Sequence, residues 1–131
     1  MTTGSSNTAV GSNCLSVQTT ANSNTAVGYH ALDKNTTGTN LVAGGAEALA
    51  SNTTANDNTA IGNNAGEDIT TGASNTMVGS SAGALITTGT LNTAVGYVSL
   101  GAVMTTQGNS AVGYAALSAA GGVVGGEEGF L

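Results

Sequence analysis

Side chains able to do acid–base, nucleophilic or ligating chemistry are few in this chain of 131 residues: one Cys, one His, one Lys or Arg in total, and seven acidic residues. The histidine, His30, stands beside Asp33 and Lys34, and Glu47 lies one 17-residue interval further on. If the chain repeats at that interval, His30 and Glu47 meet on adjacent turns as a surface ion pair, a contact that contributes little. Asp33 and Glu67 are separated by two such intervals. Two turns of a stacked β-structure would hold them roughly 9–10 Å apart, near the separation an inverting glycosidase needs. No aromatic sugar platform or groove-forming insertion accompanies them, so the expectation is solvated loop rather than catalysis. Cys14 has no partner for an internal disulfide and is expected to be a small buried filler. No Cys/His set suits zinc. Neither a Gly-Gly-x-Gly-x-Asp calcium repeat nor a Gly-x-x-x-x-Gly-Lys phosphate loop occurs. The chain is therefore expected not to be an enzyme, with no catalytic residue, cofactor or metal.

What positions these groups is a repeat. Glycine recurs at Gly11, Gly28, Gly45, Gly62, Gly79, Gly96 and Gly113, always at the same 17-residue spacing. Before it stands Asn-Thr-Ala-Val-Gly, as in Asn24-Thr25-Ala26-Val27-Gly28, with a degenerate third copy, Leu41-Val42-Ala43-Gly44-Gly45. After it comes a small residue and then Leu, replaced by Gly66 and Gly83 in two copies; a Thr-Thr-Gly or Thr-Thr-Ala element follows. The period is about half that of a helical-hairpin repeat, and Gly, Asn and Thr are poor helix formers. Thr-Ala-Val-Gly favours a short strand ending at a residue able to take positive φ. The Leu segment is expected to form a second strand or a tight corner. The predicted fold is all-β: a parallel β-solenoid, a β-roll or narrow β-helix, with one coil per 17-residue repeat and seven coils. At the strand spacing of a sheet the rod is about 34 Å long. The solenoid domain is placed at 1–120, followed by a Gly-rich tail at 121–131 that breaks the pattern.

Stacked coils turn each column into a ladder. The apolar ladder expected to point inward is Val10, Val27, Ile61, Val78, Val95 and Val112, joined by Leu15, Leu32, Leu49, Leu100 and Leu117. Asn7, Asn24, Asn58, Asn75, Asn92 and Asn109 suit an amide ladder. Ala9, Ala26, Ala43, Ala60, Ala94 and Ala111 form a column small enough to let another chain approach. So short a coil encloses little apolar surface, so association is the expected remedy. The seven glycines are read as turn positions. In the tail, Val123, Val124, Phe130 and Leu131 are apolar enough to need cover. They are expected to serve as a cap or an end-to-end contact that would build a filament.

Composition excludes some partners. Charged residues are 6% of the chain, against about 25% in a typical soluble domain, and the net charge is −6. A nucleic-acid binder needs Lys and Arg to displace counterions, so none is expected. No apolar run is long enough to span a bilayer, so no membrane insertion is expected.

The run Asn24 to Leu32, Asn-Thr-Ala-Val-Gly-Tyr-His-Ala-Leu, with Asn35-Thr36-Thr37-Gly38 after it, resembles repeats of phage tail fibres and related virion fibre proteins. It is also similar to the head repeats of trimeric autotransporter adhesins, whose unit runs Asn-Ser-x-Ala-Ile-Gly. The likeness covers about residues 2–120; the period of 17 is longer than that of the adhesin heads, and the extra residues are expected to enlarge the Thr-Thr-Gly loop. The resemblance implies a homotrimeric β-roll that acts as an extracellular or virion-surface fibre segment. It implies attachment to a host or surface, with itself and a cell-surface glycan or receptor as partners. Tyr29, Tyr97 and Tyr114 follow the anchor glycine, as rings lying over a neighbouring coil or as a glycan platform. The alternative function is an ice-binding Thr ladder. It is set back because ice-binding faces show Thr-x-Thr, whereas adjacent threonines point opposite ways on a strand. A polysaccharide-depolymerising spike fragment is the third reading.

Overall fold

In the computed structural model, residues 3–102 and 105–118 are described. Seven short strands form one parallel sheet in sequence order: β1 (Thr8–Val10), β2 (Thr25–Val27), β3 (Val42–Gly44), β4 (Thr59–Ile61), β5 (Thr76–Val78), β6 (Thr93–Val95) and β7 (Ser110–Val112). Each residue pairs with its equivalent one repeat on, as Thr8 with Thr25 and Val10 with Val27. The chain is thus a parallel β-solenoid, with about six turns separating the first strand from the seventh. No described residue lies in a helix, so among the described residues no helix is long and apolar enough to cross a membrane.

Between strands the backbone makes tight corners rather than a second strand. The anchor glycines all have φ between 128° and 139°. Successive turns follow, as in Ala31 N–H to Gly28 O (3.4 Å), Asp33 N–H to His30 O (3.3 Å) and Asn35 N–H to Leu32 O (3.2 Å). His30, Leu32 and Asn40 have φ of 55°, 53° and 58°, and the same three columns have positive φ in the other coils. Such conformations cost about 1 kcal/mol or more for non-glycine residues. They persist because burial and coil-to-coil hydrogen bonds hold them: Leu32 is fully buried, and its N–H donates to Ala48 O at 3.1 Å.

The core reverses part of the sequence expectation. In so short a strand the first and third side chains share one face and the middle one takes the other. The inward residue is the alanine: Ala26, Ala43, Ala60, Ala94 and Ala111 are buried inside the coil, with Met77 in the same column. This column is therefore interior wall, not a contact for another chain; Ala9, on the first strand, is exposed. The Val/Ile ladder faces outward instead: Val10 is 56% exposed, Val27 44%, Ile61 42%, Val78 37% and Val112 48%, and Val95 is half-buried. The coil is too narrow to take both a β-branched residue from the strand and a leucine from the opposite corner. Leu15, Leu32, Leu49 and Leu100 are buried as expected, and Leu117 packs on the core from its edge. Cys14 is half-buried against the same core, its thiol donating to Gly28 O at 2.6 Å.

One exchange explains the two copies without leucine. Coils with Leu32 or Leu49 carry Asn35 or Asn52 at the end of the same corner; coils with Gly66 or Gly83 carry Ile69 or Ile86 there, all buried. A Cβ at Gly66 would lie 3.0 Å from Ile69 Cδ1 and 3.2 Å from Leu49 Cδ2; one at Gly83 would overlap Met77 Sδ. Ile69, Ile86 and Met77 thus fill the space that leucine fills elsewhere.

The Asn column is buried and joins neighbouring coils through the backbone. Asn75 N–H donates to Asn58 Oδ1 (2.8 Å), Asn75 Nδ2 donates to Gly89 O (2.8 Å), and Asn75 Oδ1 accepts from Asn92 N–H (3.0 Å). Amide-to-amide bonds occur as well, from Asn92 Nδ2 to Asn75 Oδ1 (3.1 Å) and from Asn109 Nδ2 to Asn92 Oδ1 (2.9 Å). Asn7 Nδ2 makes the equivalent bond to Ala21 O from a half-buried position. Replacing Asn75 with Ala strands the Gly89 carbonyl and the Asn92 amide away from water. The expected cost is about 2–5 kcal/mol, from two buried groups without partners, read as a lower denaturation midpoint in urea with the slope unchanged.

The tail assigned to 121–131, with Val123, Val124, Phe130 and Leu131, lies outside the described residues, as does the 120 boundary of the repeat domain.

Candidate functional site

Six titratable side chains share one depression of about 210 Å³, lined by Tyr29, His30, Asp33, Lys34, Glu47, Ala50, Ser51 and Glu67; Asp57 and Asp68 are not among its lining. Three coils contribute because the corners after successive strands stack. His30 does not pair with Glu47. Its Nδ1 lies 2.7 Å from Asp33 Oδ2, within its own turn, and its Nε2 lies 3.1 Å from Asn13 Nδ2 on the preceding coil. The positive φ at His30 turns the ring back over its own corner. Glu47 and Glu67 instead share the amide of Asn64, whose Nδ2 donates to Glu47 Oε2 (3.1 Å) and Glu67 Oε2 (2.6 Å).

Burial by itself pushes the Asp33 carboxyl up, but hydrogen bonds from Ser16 and His30 and the charges of His30 and Lys34 outweigh it. The group is held below the usual carboxylate range. Its contribution to stability is complete above the ordinary carboxylate pKa and is lost as pH falls through the depressed value. Asp33 and Glu67 border one depression as the register implied, yet each is already an acceptor within the protein. Among the described residues no group of three or more His, Cys, Asp or Glu side chains is placed to hold a metal ion.

The tyrosines divide. Tyr97 and Tyr114 stack across neighbouring coils, with centroids 5.5 Å apart and planes at 17°. Tyr29 has Ala46 in its column on the next coil and packs edge-on against His30, with centroids 4.1 Å apart.

No protein-family model, curated protein or solved structure matches the chain. Its surfaces must therefore be read from their own chemistry. Two are regular along the rod. One is the outer face of the sheet, where the exposed Val/Ile column runs beside Thr8, Thr25, Val42, Thr59, Thr76, Thr93 and Ser110. The single gap in the aliphatic column, Gly44, is covered by the longer side chain of Ile61, whose Cδ1 lies 3.0 Å from where a Gly44 Cβ would sit. The other lies on the segment that leads back to each strand. There Thr3, Thr20, Thr37, Thr54, Thr71, Thr88 and Thr105 form one exposed column. The sequence reading named both columns but turned the Val/Ile ladder inward and set the threonine ladder back, because periodicity shows which residues stack and not which way they face.

Proposed function

We propose that the chain is a structural segment of a surface or virion fibre, assembled as a homotrimer through the outer face of its sheet and serving attachment rather than catalysis. The observation that supports this reading is the aliphatic ladder on that face. Val10, Val27, Ile61, Val78 and Val112 are between 37% and 56% exposed, aligned in register along the whole stack, and flanked by threonines that add methyl groups. A continuous apolar stripe of this kind marks an interaction surface. Because the stripe repeats on every coil but the third, where Ile61 reaches over Gly44, a second copy offers a partner ladder of matching repeat. The resemblance to fibre repeats supports three copies around one axis and an extracellular or virion-surface location. Tyr97 and Tyr114 are exposed enough to contact a glycan or other receptor. The carboxylates of the depression bond to neighbouring side chains, which favours scaffold over hydrolase.

Sedimentation of the purified chain should give three times the chain mass. Ile61→Lys combined with Val78→Lys places charges on the stripe and should give the single-chain mass with the β-sheet circular dichroism retained. A native chain that sediments as a monomer, or a trimer indifferent to both lysines, removes the proposal.

A further inference from the structure

Among the described residues, the hydroxyls of the threonine column on the returning segment take no part in the bonds between coils, although backbone N–H groups of the column do, as Thr37 N–H to Thr53 O at 3.2 Å. Those of the column immediately before it do. The hydroxyls of Thr19, Thr36, Thr53 and Thr70 donate to the carbonyls of Thr36, Thr53, Thr70 and Thr87 on the next coil, at 3.0 to 3.2 Å. In these four pairs the first threonine is turned to the stack and the second to solvent. None of the seven outward hydroxyls has a partner among the described residues. Outside the sheet face a surface column can vary freely: the column after the anchor glycine reads Ser12, Tyr29, Ala46, Asn63, Ser80, Tyr97, Tyr114. Seven identical outward residues therefore call for a reason outside the chain's own packing.

The surroundings narrow what that reason is. After the five middle threonines of the column the next residue is small and buried: Ala21, Gly38, Ala55, Gly72 and Gly89. No bulky side chain rises beside that part of the row. Two residues on, a second rank carries further hydroxyls and amides, including Thr39 and Thr90, so Thr-x-Thr does occur in Thr37-Gly38-Thr39 and Thr88-Gly89-Thr90. The second rank is fixed by bonds along itself, as Thr39 Oγ1 to Asn56 Oδ1 at 3.0 Å. Asp57 is the only charged residue on this segment of any described coil. Leu91, in the same column as Asp57, is 63% exposed, so charge and apolar bulk, which would disrupt an ordered water layer, are confined to these two positions.

We propose that the threonine column is an ice-binding face. Parallel coils repeat at about 4.8 Å, close to an oxygen repeat of hexagonal ice. A β-branched side chain is stiff about χ1, so each coil presents one methyl and one hydroxyl in a fixed orientation. The methyls order the adjacent water, and the hydroxyls tie it to the protein. Immobilising a bridging water costs entropy, so a single threonine would not hold it in lattice register. A pre-aligned row shares that cost along its length. This face is not the sheet face assigned to assembly.

The test is thermal hysteresis of the full chain, with the shape of a single ice crystal observed in the gap. The native protein should separate melting from freezing and facet the crystal. Thr54→Lys combined with Thr71→Lys should reduce the gap more than tenfold, and Leu85→Lys, on another exposed column, should leave it unchanged. Thr54→Val combined with Thr71→Val keeps the β-branch and the fold, and should still lower the gap severalfold. Absence of hysteresis in the native chain, or a gap that survives both threonine pairs, overturns the proposal. So does a gap lost equally with Leu85→Lys. Sedimentation mass reads the assembly independently, so either proposal can fail without the other.

Discussion

Gly62→Ala should separate the rod at its middle. The added Cβ would lie 2.6 Å from both the carbonyl carbon and oxygen of Gly79 on the next coil and 3.0 Å from Ser80 N. Those atoms are backbone and cannot rotate away. The position also has φ of 135°, a region that side chains other than glycine's rarely adopt and that costs about 1–3 kcal/mol by itself. Steric separation of two coils comes on top, so the expected loss is about 4 kcal/mol or more, in the exceptional range for a single substitution. In a quasi-one-dimensional stack each coil touches only its neighbours, so the damage is felt as a break between β4 and β5. Thermal melting by circular dichroism should fall sharply, and limited proteolysis should cut in the corner that follows position 62. Gly108→Ala supplies the control: its φ is 72° and nothing lies within 4 Å of the added Cβ. If the two substitutions cost the same, backbone conformation alone matters and the close-approach account is wrong.

Gly83→Leu should be harmful alone and tolerated when Met77→Ala accompanies it. The backbone does not forbid the leucine: Gly83 has φ of 59°, and Leu49 and Leu100 occupy the same column at 51° and 53°. The obstacle is Met77, whose Sδ occupies the place of the new Cβ and whose Cε lies 3.1 Å away, with Ile86 Cδ1 also at 3.1 Å. Overpacking a filled core typically costs about 1–3 kcal/mol. Met77→Ala alone should also destabilise, by about 2–5 kcal/mol, through the cavity it leaves. The double substitution gives this coil the inward alanine and corner leucine found in other coils, with Ile86 kept where Asn35 and Asn52 stand in theirs. Denaturation of all four proteins should give a coupling of about 1–3 kcal/mol in the favourable direction. Simple addition of the two losses would show that the coil interior does not trade volume between these positions.

The sequence alone determined the period, the parallel stacking and the coil length. In a rod built by translation, every contact between neighbours recurs one repeat further along the chain; the seven anchor glycines and the asparagines therefore reveal the register without any knowledge of shape. The corner leucines and the buried Asn column were legible for the same reason. The direction of each side chain was not. A strand as short as Thr59–Ile61 gives apolar–polar alternation no room to appear, and hydrophobicity ranked Val above Ala for the interior. The tertiary structure decided the opposite, because a coil this narrow has room inward for Ala60 but not for Ile61. It also chose the partner of His30, where a local turn brought Asp33 closer than the stacking interval brought Glu47. Only the folded interior showed Gly66 and Gly83 to be spaces taken by Ile69, Met77 and Ile86. Of two adjacent threonines, likewise, only the coil's curvature settled which one reaches its neighbour and which one faces water.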